Sequence, residues 1–76
     1  MEELVLTIAK SLVDAPDEVN VTSRTEGGEV IIELRVADAD MGKVIGKQGR
    51  IAKAIRTVVK AMAINEDKRV NVEIIG

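Results

Sequence analysis

The chain has no cysteine, no histidine and no aromatic residue, and Pro16 is its single proline. Without cysteine there is no disulfide framework and no thiolate metal site, a usage that suits a reducing cytoplasm. Without histidine the commonest general base and the commonest zinc ligand are missing. Without Phe, Tyr or Trp the core has to be aliphatic, and no ring is available for a nucleobase to stack on. No apolar run approaches the length of a membrane span. Glu2 and Glu3 give an acidic start, the opposite of a signal peptide's basic leader. Seventy-six residues have room for one domain, expected over 1–76, with a small core that is either modestly stable or helped by a partner.

What is present is unevenly spread. The formal net charge is −2, yet between Met41 and Asn65 the ionisable residues are Lys43, Lys47, Arg50, Lys53, Arg56 and Lys60, with no acid among them. All 13 acids and the other five basic residues lie outside that segment. An acidic average therefore hides one strongly positive face, the electrostatic footprint expected of a polyanion-binding surface.

Periodicity supplies the elements. Val5, Ile8, Ala9 and Leu12 recur at helical spacing from Glu2 to Val13, and Asp14-Ala15-Pro16-Asp17 stops that helix. Val19–Thr25 and Glu29–Val36 alternate as strands around a Glu26-Gly27-Gly28 turn. In the second, Val30, Ile32, Leu34 and Val36 face one way, and Ile31 is an apolar residue on the other face. Asp38 or Asp40 is placed to cap a short helix running to about Ile45. A longer helix from about Arg50 to Ala63 has Ile51, Ile55, Val58 and Met62 as its expected buried stripe, with Val59 and Ala63 off it. Lys68–Ile75 closes as a strand. The order α-β-β-α-α-β, with strands alternating apolar and polar, predicts an α+β two-layer sandwich, its three-stranded sheet covered by helices on one face.

The densest chemical signal is Val44-Ile45-Gly46-Lys47-Gln48-Gly49-Arg50. Two glycines three apart join two helices. Gly46 is expected to end the first with a positive φ, and Gly49 to let a phosphate approach the N–H groups that open the next, at the positive end of its dipole. Lys47 at the loop tip adds a charge-assisted contact, and Gln48 a neutral hydrogen bond. Arg50, Lys53, Thr57 and Lys60, spaced 3, 4 and 3, line one face of the second helix, roughly opposite its apolar stripe, with Arg56 on the flank.

Ile45 to Ile51 resembles the helix–GXXG–helix signature of KH domains, which clamp about four nucleotides of single strand. The element order resembles the type II, bacterial arrangement. The longer string Asp40-Met41-Gly42-Lys43-Val44-Ile45-Gly46-Lys47-Gln48-Gly49-Arg50, continuing to Ala54-Ile55-Arg56, is similar to the small stand-alone bacterial KH proteins of the KhpA/YlqC family, and the likeness extends over nearly the whole chain. It implies a cytoplasmic, non-enzymatic protein that binds single-stranded RNA. Gripping would fall to Lys43, Ile45, Gly46, Lys47, Gln48, Gly49, Arg50 and Lys53, with bases lying in an apolar groove whose floor includes Ile45, helped by Ile51 or Val44. It also implies a homodimer, or a heterodimer with a larger KH-containing RNA-binding protein, in post-transcriptional regulation or RNA chaperoning. No cofactor or metal is expected, and no membrane.

Two other readings stand beside this one. A protein–protein module with vestigial RNA binding would use Val59, Ala63 and Ile31 as a dimer patch. An enzyme would need a nucleophile among Ser11, Ser23, the threonines, lysines or carboxylates, and none has a base partner in the pattern. Asp38 and Asp40, two apart, fit helix capping better than a metal site. A single-stranded DNA binder is the further alternative, because nothing in the sequence reads a 2′-hydroxyl and the preference for RNA comes from the resemblance.

Overall fold

The computed structural model describes residues 1–75. Six principal elements appear in the expected order: α1 (Glu2–Leu12), β1 (Asn20–Glu26), β2 (Glu29–Arg35), α2 (Met41–Ile45), α3 (Arg50–Asn65) and β3 (Arg69–Ile75). Single 3-10 turns at Pro16–Glu18, Asp38–Asp40 and Lys47–Gly49 link them. The sheet is mixed, in the order β1-β2-β3. β1 and β2 are antiparallel, closed by Gly27 and Gly28 with φ of 55° and 79°, the signs that a tight two-residue hairpin requires. β2 and β3 are parallel, so the chain must cross over between them, and α2, the glycine turn and α3 are that crossover. The glycine motif is thus held at the middle of a rigid unit, fixed at both ends by neighbouring strands.

One face of the sheet carries the core. Ile32, Leu34, Val70 and Val72 meet Val5 and Ala9 of α1, Val44 of α2, and Ile55, Val59 and Ala63 of α3. Val19, expected at the start of β1, is buried just before it, after the Pro16 turn.

Two expectations about packing are corrected. α3 buries Ala52, Ile55, Val59 and Ala63, whereas Val58 is 45% and Met62 39% exposed. Both stripes have helical spacing and share Ile55. The one with alanines wins because small side chains let the helix lie close on the sheet, and the bulkier stripe is turned toward α1. Ile31 is the second correction: at 8% exposure it is buried. It stands on the central strand, in register with Arg24 on one side and Asn71 on the other. Arg24 pairs with Glu33 at 2.8 Å and reaches Glu73 on β3 at 3.4 Å. To do so from β1 its side chain must cross β2, laying its methylene stem over the outer face where Ile31 sits. The dimer patch of Val59, Ala63 and Ile31 therefore does not exist as a surface.

Candidate nucleic-acid interface

α2 ends at Ile45, and the chain reverses through Gly46 with φ 76° and ψ 173°, a conformation open essentially to glycine alone. The reversal is tight: a Cβ built on Gly46 would lie 2.5 Å from Ile51 Cγ1 and 2.9 Å from the Ile51 nitrogen. Gly46 is thus the seat on which the first turn of α3 rests. Gly49 differs. Its φ of 74° and ψ of 14° are left-handed, but a Cβ there would meet nothing within 4 Å. Its outer side is open. Gln48 is left-handed as well, with φ 58° and ψ 25°.

The turn uses some of its own donors. The N–H groups of Gly46, Gly49 and Arg50 bond to the carbonyls of Gly42, Gly46 and Lys47. The N–H groups of Lys47 and Gln48 take no such main-chain partner among the described residues. The Lys47 and Gln48 amides at the tip thus add two donors just ahead of the helix-start amides that the sequence suggests. α3 begins with Gly49 as its N-cap, with no side-chain cap bond and no acid in its first turn. Arg50 donates to Gln48 Oε1 at 3.3 Å.

Lys47, Arg50, Lys53 and Lys60 are exposed. Lys53, Arg56 and Lys60 share one flank of α3, and Arg56 is half-buried there, its Nε donating to the Val72 carbonyl at 3.1 Å. Ile45 is 37% exposed. Val44 is fully buried in the core and offers no surface to a base. Ile51 is half-buried against Gly46.

Asp40 overturns the capping expectation. It stands at the N-cap position of α2 but makes no side-chain cap bond. The residue is 3% exposed, and its carboxylate accepts the N–H groups of Asp14 at 3.2 Å and Ala15 at 3.0 Å, in the loop after α1. Lys43 Nζ closes the cluster, bonding Asp14 and, at 3.3 Å, Asp40. Burial works against the Asp40 charge, but the Ala15 and Asp14 N–H groups and the Lys43 ammonium outweigh it and hold its carboxyl below the ordinary range. Bonding to Asp14 first, then to Asp40, overcomes burial at Lys43 and raises its affinity for a proton. Lys43 is thus engaged in fastening α2 to the α1–β1 connection, and is not one of the free cations expected from the sequence. Asp40 was missed as a tether because its partners are main-chain groups 25 and 26 residues away.

Beside this region, α1 and α3 leave an apolar groove of about 320 Å³, lined by Ile8, Leu12, Ile51, Ala54, Ile55 and Val58, with Arg50 at its rim. Among the described residues no helix is long and apolar enough to cross a membrane, and no group of three or more metal-ligating side chains converges.

Comparison with known proteins bears on nearly the whole chain. The model of the KhpA/KhpB KH-domain family matches residues 2–74. A Clostridium acetobutylicum protein named RNA-binding protein KhpA is 68% identical over 75 residues, covering 99% of this chain and 100% of that one. Proteins of the same name from Caldanaerobacter subterraneus subsp. tengcongensis and Treponema pallidum are 67% and 53% identical, over 99% and 97% of this chain and 100% and 92% of theirs. On a match of that length and identity, over a fold with the element order and glycine turn described, the chain belongs to the KhpA/KhpB family of KH domains.

Proposed function

We propose that this chain is a single-stranded RNA-binding protein, one KH-like unit over residues 1–76, that grips about four nucleotides of backbone at Gly46–Gly49. The observation carrying this reading is the unequal pair of glycines: Gly46 is packed against Ile51 while Gly49 is open outward, beside two unengaged amides and an acid-free basic flank. A KH domain is a binding module and not an enzyme. Lys47 and Arg50 supply charge at the turn, Gln48 a hydrogen bond, Lys53 the next phosphate, and Ile45 apolar contact with a base. Lys43 acts on RNA through the placement of α2. With no aromatic stacking platform, gripping is weak and tolerant of sequence. About three neutralised phosphates on a single strand give a salt slope of about −2. Fluorescence anisotropy of a labelled single-stranded RNA, titrated at several salt concentrations, reads that slope directly. Binding that is absent, or that does not weaken with salt, would overturn the reading.

Weak gripping by one module calls for a second one, since linkage raises avidity by about 10²–10⁴. The α1–α3 groove, with Val58 and Met62 exposed at its side, supports pairing with a second copy or with a larger KH-containing RNA-binding protein. It lies on the opposite flank of α3 from Lys53 and Lys60, so pairing leaves the basic flank free. A cytoplasmic role in post-transcriptional regulation or RNA chaperoning follows from the same reading, and the matched relatives carry the name RNA-binding protein KhpA.

A further inference from the structure

Asp40 is the one buried charged residue among the described residues, and the grip on RNA does not use it. Both of its carboxylate oxygens are taken. Oδ1 accepts the Asp14 N–H and the Lys43 ammonium, and Oδ2 accepts the Ala15 N–H. A buried carboxylate satisfied in this way adds little net stability over a well-packed apolar replacement. What it supplies is direction, because hydrogen bonds weaken steeply with angle while apolar contacts are non-directional.

The element it directs is α2. Met41–Ile45 is five residues long, too short to hold a helix by itself. Gly42 weakens it further, and a Cβ built there would meet nothing within 4 Å, so no neighbour steadies that side. Val44, fully buried, and the half-buried Met41 seat another side on the core. Two apolar contacts three residues apart leave a short helix free to roll about the line through them. The Asp40 bonds to the loop after α1 remove that freedom. Gly46 opens the turn at the other end of α2, about 9 Å from Asp40 along the axis. The roll of α2 therefore sets where the Lys47 and Gln48 amides stand.

We propose that Asp40 is a positioning residue for RNA binding: through the Asp14 and Ala15 main-chain N–H groups it fixes the roll of α2 and so presets the Gly46–Gly49 turn for a phosphate. This rests on the single-strand RNA reading above. The expected effect has a sign that charge alone does not give. Removing an acid from a polyanion-binding protein ordinarily tightens binding, whereas loss of Asp40 loosens it, because fewer molecules hold a competent turn. Asp14 separates the two effects. Its carboxylate, 83% exposed, holds the same Lys43 from outside, but its bond to Asp40 is made by its main-chain N–H. Asp14→Asn thus removes an equal charge and keeps the positioning bond.

The test compares Asp40→Asn, Asp14→Asn and Ile32→Val with the unsubstituted chain. Each is titrated against a labelled hexanucleotide RNA, and relaxation dispersion is recorded at the Gln48 and Gly49 amides without RNA. Asparagine keeps the shape of Asp40 but turns an N–H donor toward one of the two main-chain N–H groups. Ile32→Val trims the buried core of β2 and reports what plain destabilisation does. Asp40→Asn is expected to weaken binding about fivefold to tenfold and to bring microsecond-to-millisecond exchange to the turn. The other two are expected to bind within about twofold of the unsubstituted chain, with no added exchange. Should Asp40→Asn unfold, all four proteins are measured in sucrose, which favours the compact state. Affinity unchanged or tightened in Asp40→Asn, a loss matched by Ile32→Val, or a turn without added exchange would overturn the positioning role. If the unsubstituted chain does not bind the strand, the RNA reading itself fails, and the exchange at the turn still decides whether Asp40 holds it.

Discussion

Replacing each glycine of the turn by alanine separates folding from gripping. At Gly46, alanine must adopt φ 76° and ψ 173°, which costs about 1–3 kcal/mol in backbone strain. Its methyl would also sit 2.5 Å from Ile51 Cγ1 and 2.9 Å from the Ile51 nitrogen. The side chain can rotate away but the nitrogen cannot, so α3 has to shift, at about 1–3 kcal/mol more. The sum, about 2–6 kcal/mol, is a large share of the roughly 4–11 kcal/mol expected of a domain this size. At a urea dependence of about 1 kcal/mol per molar, the Gly46→Ala midpoint falls by about 2–6 M. Gly49→Ala meets no neighbour within 4 Å, so it carries only the left-handed cost of about 1 kcal/mol and loses about 1 M. Its methyl instead projects into the open side where a phosphate is proposed to sit. Displacing one charge-assisted contact there weakens RNA binding about tenfold. Urea unfolding by circular dichroism and RNA titration of both variants make the comparison. Equal destabilisation by the two substitutions would refute the assignment of Gly46 to packing and Gly49 to access.

Two further outcomes follow from other parts of the molecule. Asp40 has its carboxyl held below the reference value of 3.8, so its contribution to stability is complete above that pH and is lost as pH falls through the lowered value. Asp40→Asn is therefore expected to be less stable than the parent at pH 7 and to approach it as pH falls progressively below 3.8; a stability gap that does not narrow over that fall would contradict the tether. Val58→Asp places a charge at the rim of the apolar groove. Sedimentation analysis should show self-association weakened at least tenfold, with RNA affinity per protomer within about twofold; unchanged association would remove the groove from the interface.

How much was legible in the sequence varied with the kind of information needed. Strand alternation and the glycine positions depend on neighbours within a few residues, and they placed β2, β3 and the sign of φ at Gly46 correctly. The face of α3 did not, because Ala52–Ile55–Val59–Ala63 and Ile51–Ile55–Val58–Met62 have equally helical spacing, and only the distance to the sheet decides between them. Ile31 looked exposed because alternation cannot see that Arg24 crosses the central strand. At the candidate site, the sequence marks Lys47, Arg50 and Lys53 as surface cations, and they are exposed. Lys43 looks like one of them in sequence because its pairing with Asp14 and Asp40 forms only when the tertiary structure brings the α1–β1 connection to α2. Asp40 has a cap's sequence position and a tether's partners.

The central claim is that the Gly46–Gly49 turn holds RNA backbone. The most direct measurement is the affinity of the Lys47→Asp, Gln48→Asp double variant for a single-stranded RNA, taken beside its circular dichroism and sedimentation. Both side chains are exposed, so the fold and self-association should persist while two negative charges stand at the phosphate position. RNA binding is expected to collapse with the fold intact; RNA affinity equal to that of the unsubstituted chain would contradict a backbone grip at this turn.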